Sequence, residues 1–429
     1  MSSSLASAPF LAPFGTRSFR FQWPADLCVA WALEMETLVL GWFVLVETGS
    51  VLMLTVFGAL QFVGTLASPL LGTLGDRVGL RRVLATMRFG YALLAGVILL
   101  LAGTGELNVF AVLCVAGVAG VIRPSDIGMR TALVGATVPP RHLMAAIGIS
   151  RTSMDSAKVA GALVGAGVVA VFGMVAAYAA IVAIHLAGAL LTLQVDAGRH
   201  APAGAPLLPG GAALAPPQSP WRELREGLAH VWHRPRLLAA MCMAALVNLS
   251  AYPFTGGLMP YIAREVFHLD QRGLGWLIAS FSAGALIGSV LMGALGGRLR
   301  PGRAMLVASV VWYGCLFGFV ATPPVAVAMA LLVGAGMAQS TSMLALSMLL
   351  LRSVDQRFRG RIMGVRMLAI YPLPLGLLLT GALIPRIGYA WTADLVLCCG
   401  LALTLAIGMA WRDELWRSAS PGNALAPHG

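Results

Sequence analysis

The chain has 429 residues, of which 59% are hydrophobic and only 11% charged, with a formal net charge of +12. A soluble domain carries about 25% charged residues, so this composition excludes a water-clothed globule of this length. The basic excess does not signal nucleic acid, because the arginines gather in short turns between long apolar blocks, as in the cytoplasmic loops of membrane proteins.

Blocks of about 20 apolar residues match a hydrocarbon core of about 30 Å at a rise of about 1.5 Å per residue. Twelve spans are expected, at 24–46, 51–71, 83–103, 107–134, 143–172, 174–195, 236–262, 273–296, 304–322, 325–351, 362–385 and 389–411. Residues 1–23 lack a basic region followed by an apolar run, so the first span is expected to serve as the insertion signal. A Pro-, Ala- and Gly-rich linker follows span six. It leads into Trp221, Leu224, Leu228, Val231 and Trp232, which recur at helical spacing among Arg and His. That pattern predicts an amphipathic helix on the membrane surface.

The reading is an all-α polytopic membrane protein. It comprises a six-helix bundle at 1–195, a cytoplasmic linker with the amphipathic helix at 196–235, a second six-helix bundle at 236–412 and a cytoplasmic tail at 413–429. Turns after even-numbered spans carry Arg77, Arg81, Arg82, Arg141, Arg298, Arg300, Arg303 and Arg359. Turns after odd-numbered spans are poorer, the Arg264–Arg272 turn being offset by Glu265 and Asp270. Both termini are therefore expected in the cytoplasm, with the chain in the cell inner (plasma) membrane. The six cysteines all fall inside apolar blocks, without the spacing of a zinc site or a disulfide framework.

An internal repeat supports the twofold plan. Gly72–Arg82, joining spans two and three, parallels Gly293–Arg303, joining spans eight and nine. Pro139–Gly148 before span five parallels Asp355–Gly364 before span eleven. Parallel repeats of six helices, with substrate handled at the midplane between them, are one known transporter plan.

At Gly72–Arg82 the sequence resembles the major facilitator superfamily, whose signature turn is filled by Gly72, Leu74, Asp76, Arg77, Gly79, Arg81 and Arg82. The resemblance implies twelve helices in two pseudo-symmetric bundles, a monomer, and a turn that clamps the cytoplasmic side during alternating access. In the second copy Gly297 replaces the aspartate. Leu40–Ser50, Leu133–Ala146, Trp232–Arg236 and Leu258–Val266 resemble the enterobactin-exporter and macrolide-efflux branch. That similarity implies outward transport of siderophores or drug-like amphipathic molecules. In span five, Ala160–Gly165 departs from the Gly-Pro-x-x-Gly-Gly pattern of the superfamily's antiporters, leaving small residues that either pack closely against a neighbour or serve antiport.

Polar residues inside spans carry whatever chemistry the chain has, since a charge at the bilayer centre costs about 2.5–3.5 kcal/mol on insertion scales. Arg151, Asp155 and Lys158 share one face of span five, and Arg123, Asp126 and Arg130 one face of span four. Glu34, Arg123 and Asp155 fall at nearly one depth. Glu34 and Glu36 lie about 200° apart on a helix, so one of them, Glu34, is expected to face a cavity. Lys158 is the chain's single lysine. These residues form either a proton-coupling and anion-holding site or static salt bridges. Trp31, Asn248, Tyr252, Phe254 and Gln339 are candidate cavity residues, while His185 reads as a core histidine.

With one lysine, followed by Val159, the chain has no Gly-x-x-x-x-Gly-Lys-Ser/Thr loop for ATP, and it carries no His-Glu-x-x-His. No enzyme activity, cofactor or metal is expected. The expected function is proton-coupled export of small anionic or zwitterionic molecules. The alternatives are an organic-anion importer of the same fold and a non-transporting scaffold or sensor.

Overall fold

The computed structural model describes residues 9–65, 78–196, 220–295, 299–322, 324–353 and 369–416, and no strand occurs among them. The N-terminal half contains α1 (Arg17–Thr48), α2 (Val51–Leu60), α3 (Leu80–Thr104), α4 (Val109–Thr137) and the long bent α5 (Pro140–Leu193). A surface helix, α6 (Pro220–Trp232), precedes α7 (Pro235–Ser250), α8 (Gln271–Leu295), α9 (Pro301–Val320), α10 (Val325–Arg352), α11 (Pro372–Ile387) and α12 (Tyr389–Ala410).

Eight of these helices are long and apolar enough to cross a membrane. One of the eight, α5, is two arms joined at Gly173, whose backbone has φ 79° and ψ 179°. Glycine tolerates that conformation because it has no Cβ, and the bend falls between the fifth and sixth expected spans. Three shorter apolar helices, over Val51–Thr65, Pro235–Ser250 and Pro372–Ile387, coincide with expected spans two, seven and eleven. Span seven is broken after Ser250, just before Pro253. Short turns at Tyr252–Thr255 and Met259–Tyr261 continue it, followed by a wide turn closed by Phe267 N–H donating to Ile262 O at 3.0 Å.

Local sequence sets the tight connections. Gly49, in the left-handed region at φ 61°, ends α1, and its N–H donates to Leu45 O. The next residue, Ser50, accepts from Met53 N–H to begin α2. Asn108 does the same for α4, accepting from Ala111 N–H at 2.9 Å.

The outside of the bundle is apolar. Leu93, Leu100, Phe110, Phe172, Trp391 and Met409 are between 70% and 77% exposed. Water would not tolerate such a belt, but lipid does. The protein is a multi-pass membrane protein.

Glycines set how closely helices approach. A Cβ on Gly161 would lie 2.9 Å from Glu34 Cβ, and one on Gly165 would lie 3.1 Å from Met35 Cα. The small residues of Ala160–Gly165 thus seat α5 on α1. The next positions on α5, Ala162 and Ala166, meet Gly275 of α8. Gly284 and Gly288 of α8 and Gly336 of α10 lock those two helices backbone to backbone.

The halves meet chiefly through α2 against α11 and α5 against α8. Their close contacts gather at the end away from the termini. Gly41 approaches Pro260, Gly58 approaches Gly257 and Leu377, Gly381 approaches Thr55, and Gly275 approaches Ala162. Arg264 adds a hydrogen bond to Leu45 O at 3.2 Å. That end is sealed.

Candidate functional site

Beneath the seal, a cavity of about 190 Å³ lies between the halves. It is lined by α1, α2, α4 and α5 on one side, and on the other by the turns after α7 together with α8, α10 and α11. Its apolar walls include Leu38, Phe57, Phe281 and Leu377. Its charged residues are Glu34, Arg123, Arg151, Asp155 and Lys158, three cations against two carboxylates.

Arg123 is held by a small network. Gly120, one turn earlier on α4, lets the backbone of Leu60 and Gln61 come into contact. Gln61 Oε1 consequently accepts from Arg123 Nη1 at 2.5 Å. Arg123 Nη1 also donates to Thr37 Oγ1 at 3.3 Å, and Thr37 Oγ1–H donates to Gln61 Oε1 at 3.1 Å. Glu34 Oε1 lies 3.5 Å from Arg123 Nη2, with both side chains about one quarter exposed.

Asp155 is buried, 3.3 Å from the half-exposed Arg151 on the preceding turn of α5. Across the interface it accepts from Ser289 Oγ–H of α8 at 2.9 Å, and Ser289 meets Ser340 of α10 at 2.8 Å. Asp155 therefore ties the halves together at cavity level. Lys158 makes no hydrogen bond or ion pair with any described residue. Its ammonium is free for a ligand.

Tyr252 and Gln339 line this cavity, but Trp31, Asn248 and Phe254 do not. The Asn248 side-chain amide donates instead to Ala244 O and Ala369 O, fastening the start of the α11 segment. Phe254 is fully buried, edge-on to Tyr389. Trp31 lies on the α1 segment that packs beneath Gly161.

Asp126 also leaves the cavity. It sits one turn beyond Arg123, where α4 faces α3, and it and Arg130 are buried. Asp126 Oδ1 is 3.6 Å from Arg88 Nε of α3. Arg88 is wholly buried, pairs with Asp26 of α1 and donates to Thr192 Oγ1 of α5 at 2.6 Å. The sequence reading missed Asp26 and Arg88. Both are ionisable residues inside apolar spans, the signal that singled out the others, but they stand near span ends and resemble interfacial charges. Gln61 was missed too, being uncharged.

In the signature turn, Gly72, Asp76 and Arg77 lie outside the described residues. Gly79 precedes α3 with φ 102°. Arg81 donates to Val195 O at 3.0 Å, tying the start of α3 to the end of α5, and Arg82 is exposed.

Two helical halves with an apolar outside, enclosing a charged cavity between them, are the plan of a membrane carrier of small molecules. The Major Facilitator Superfamily model matches residues 23–270 and again 241–427, and the chain belongs to that superfamily of transporters. The Multidrug efflux pump Tap of Mycobacterium tuberculosis (strain ATCC 25618 / H37Rv) is 29% identical over 192 residues, and that of Mycolicibacterium fortuitum 29% over 166. These matches span 43% and 38% of this chain, and only 45% and 40% of the relatives' length. Among solved structures, a bacterial homologue of the human lysosomal transporter Spinster, inward-facing and unoccupied, has a TM-score of 0.66 at 14% identity, covering 98% of this chain and 100% of that one. A bacterial homologue of the iron transporter ferroportin, also inward-facing, gives 0.65 at 16%, covering 94% and 99%. A transporter of the POT family in complex with a thioalcohol-conjugated peptide gives 0.69 at 10%, covering 94% and 97%. These likenesses are of fold.

Proposed function

We propose that this protein is a proton-coupled exporter of small amphipathic molecules, anionic or zwitterionic, working as a monomer in the cell inner membrane by alternating access. The observation that carries the cargo class is the cavity's charge: Lys158 has no partner among the described residues, and cations outnumber carboxylates three to two. A carboxylate siderophore or a zwitterionic drug fits such walls, its acid group on Lys158 and its apolar body against Phe57 and Phe281. Export draws support from the efflux-branch resemblance and from similarity to the multidrug pump.

With even-numbered turns in the cytoplasm by the charge rule, the sealed end is the outer one and the cavity awaits cargo from inside. The bundle at 1–195 then moves against that at 236–412. The seam held by Gly41–Pro260 and Arg264–Leu45 opens as the opposite end closes on the Gly72–Arg82 turn. Glu34 and Asp155 are the carboxylates that exchange a proton with the cavity, and each is held by an arginine that cargo can draw away.

Purified protein in liposomes containing a pH-sensitive dye tests this reading, with a fluorescent zwitterionic quinolone as cargo. Cargo and protons should move in opposite directions, and Lys158→Gln should weaken uptake of the zwitterion about tenfold, the equivalent of 1.4 kcal/mol. If transport is independent of gradient polarity, the coupling reading is wrong. Faster flux with cationic dyes than with the zwitterion would reject the cargo class.

A further inference from the structure

The N-terminal half contains a second polar centre that the cavity does not include. Glu36 points away from Glu34, toward the second arm of α5, where its Oε2 lies 3.4 Å from Nε2 of His185. The histidine is fully buried, and Glu36 is 14% exposed. Tyr91 of α3 lies against the imidazole at 5.6 Å between ring centroids. Tyr91 Oη, Tyr178 Oη and His185 Nδ1 have no hydrogen-bond partner among the described residues. A lone core histidine needs no carboxylate beside it, so this pair departs from what the sequence suggested.

Beside the pair is a separate void of about 30 Å³, lined by Glu36, Thr37, Gln61, Tyr91 and Arg123 among others. A water fits in about 10–15 Å³ of such space when polar partners surround it, and this void has them. Thr37, Gln61 and Arg123 line the central cavity as well. The two spaces share one wall, and that wall is the hydrogen-bonded network around the Arg123 guanidinium.

We propose that Glu36 and His185 form a buried proton-binding site, and that Arg123 conveys its charge to the central cavity. With neutral histidine the pair carries one negative charge, and Arg123 lies between two anions, Glu36 behind it and Glu34 before it. A proton arriving through the small void reaches Glu36, which lines it, and passes to His185 Nε2 at 3.4 Å, the basic nitrogen when Nδ1 carries the hydrogen. The pair is then an imidazolium against a carboxylate, neutral as a whole. Arg123 is left with Glu34 and whatever anion the cavity holds.

The other charged or titratable groups facing the pair are Tyr91 on α3, Arg123 on α4 and Tyr178 on α5, while the residue that caps α2, Gln61, is uncharged. Glu36, at 3.4 Å, is the anion that faces the imidazole directly. The link to transport rests on the proton-coupled reading above, but proton binding at this pair does not.

The test is pH-difference infrared spectroscopy of the full-length protein in lipid. Wild type should show imidazolium ring bands that vanish in His185→Gln, and Glu36→Gln should shift their midpoint to lower pH. In His185→Gln a protonated-carboxyl band should appear, and it should be lost in the double variant. Superimposable wild-type and His185→Gln spectra would overturn the proposal, as would an unchanged midpoint in Glu36→Gln. In liposomes, Glu36→Gln should lose the stimulation of cargo flux by an imposed pH gradient. Retained stimulation removes the pair from coupling. A wild type without stimulation defeats the coupling reading, while the infrared bands still decide the proton site.

Discussion

Two arginines of the N-terminal half, Arg88 and Arg123, each face carboxylates, yet their surroundings differ completely. Arg88 is wholly buried among Asp26, Asp126 and Thr192, gathering α1, α3, α4 and α5 at one point. Arg123 is about one quarter exposed on the cavity wall, with Glu34 in front and Gln61 and Thr37 at its side. The first cluster is buried and binds four helices into one body. The second lines the cavity, and the proposed function has its partners exchange. On that proposal, charge inside a membrane marks a rigid joint in one place and a working surface in the other, and access to the cavity separates the two.

That contrast can be broken most forcefully at the joint. Replacing Arg88 with Met leaves two buried carboxylates without their cation and should cost about 3–5 kcal/mol of stability, read as lost folded yield and a lower melting temperature in detergent. Removing the whole network, with Asp26→Asn, Arg88→Met and Asp126→Asn together, should recover much of that loss, since apolar substitutes for buried ion pairs are often tolerated.

At the cavity the pattern should reverse. Arg123→Gln should leave the melting temperature nearly unchanged, because partly exposed ion pairs contribute about 0–1 kcal/mol. Transport should fall about ten- to a hundredfold if the lost charged hydrogen bonds are worth about 1.5–3 kcal/mol, measured as initial rates in liposomes. The smallest effect is expected at Ser289→Ala, which removes one hydrogen bond from Asp155 at a cost of about 0.5–1.5 kcal/mol. Its signature should be weaker contact between α5 and α8, visible as faster cysteine cross-linking at the opposite end of the molecule. If Arg88→Met abolished transport in a normally stable protein, or Arg123→Gln unfolded it, the distinction drawn here would be reversed.

Much of this architecture was legible in the chain because lipid imposes simple rules. Length and apolarity fixed where helices run, even the bend at Gly173, and the charged turns repeated at half-chain spacing announced the two halves. Depth counting brought Glu34, Arg123 and Asp155 to one cavity. Helical spacing, which put Asp126 on one face with Arg123, failed there, because three residues along α4 carry a side chain from the cavity wall into the packing against α3. Polarity within a span failed for Asn248, whose amide completes backbone hydrogen bonds. Helical phase separated Glu34 from Glu36 but was silent on what Glu36 would meet. A partner 149 positions away in sequence leaves no local trace.

Lys158 is the only side-chain primary amine in 429 residues, and it opens into the central cavity. An amine-directed ester or aldehyde small enough to enter would therefore mark one internal position and, besides it, only the chain's α-amino group. Mass shift per molecule would count occupancy directly, and protection by a competing solute would map what enters.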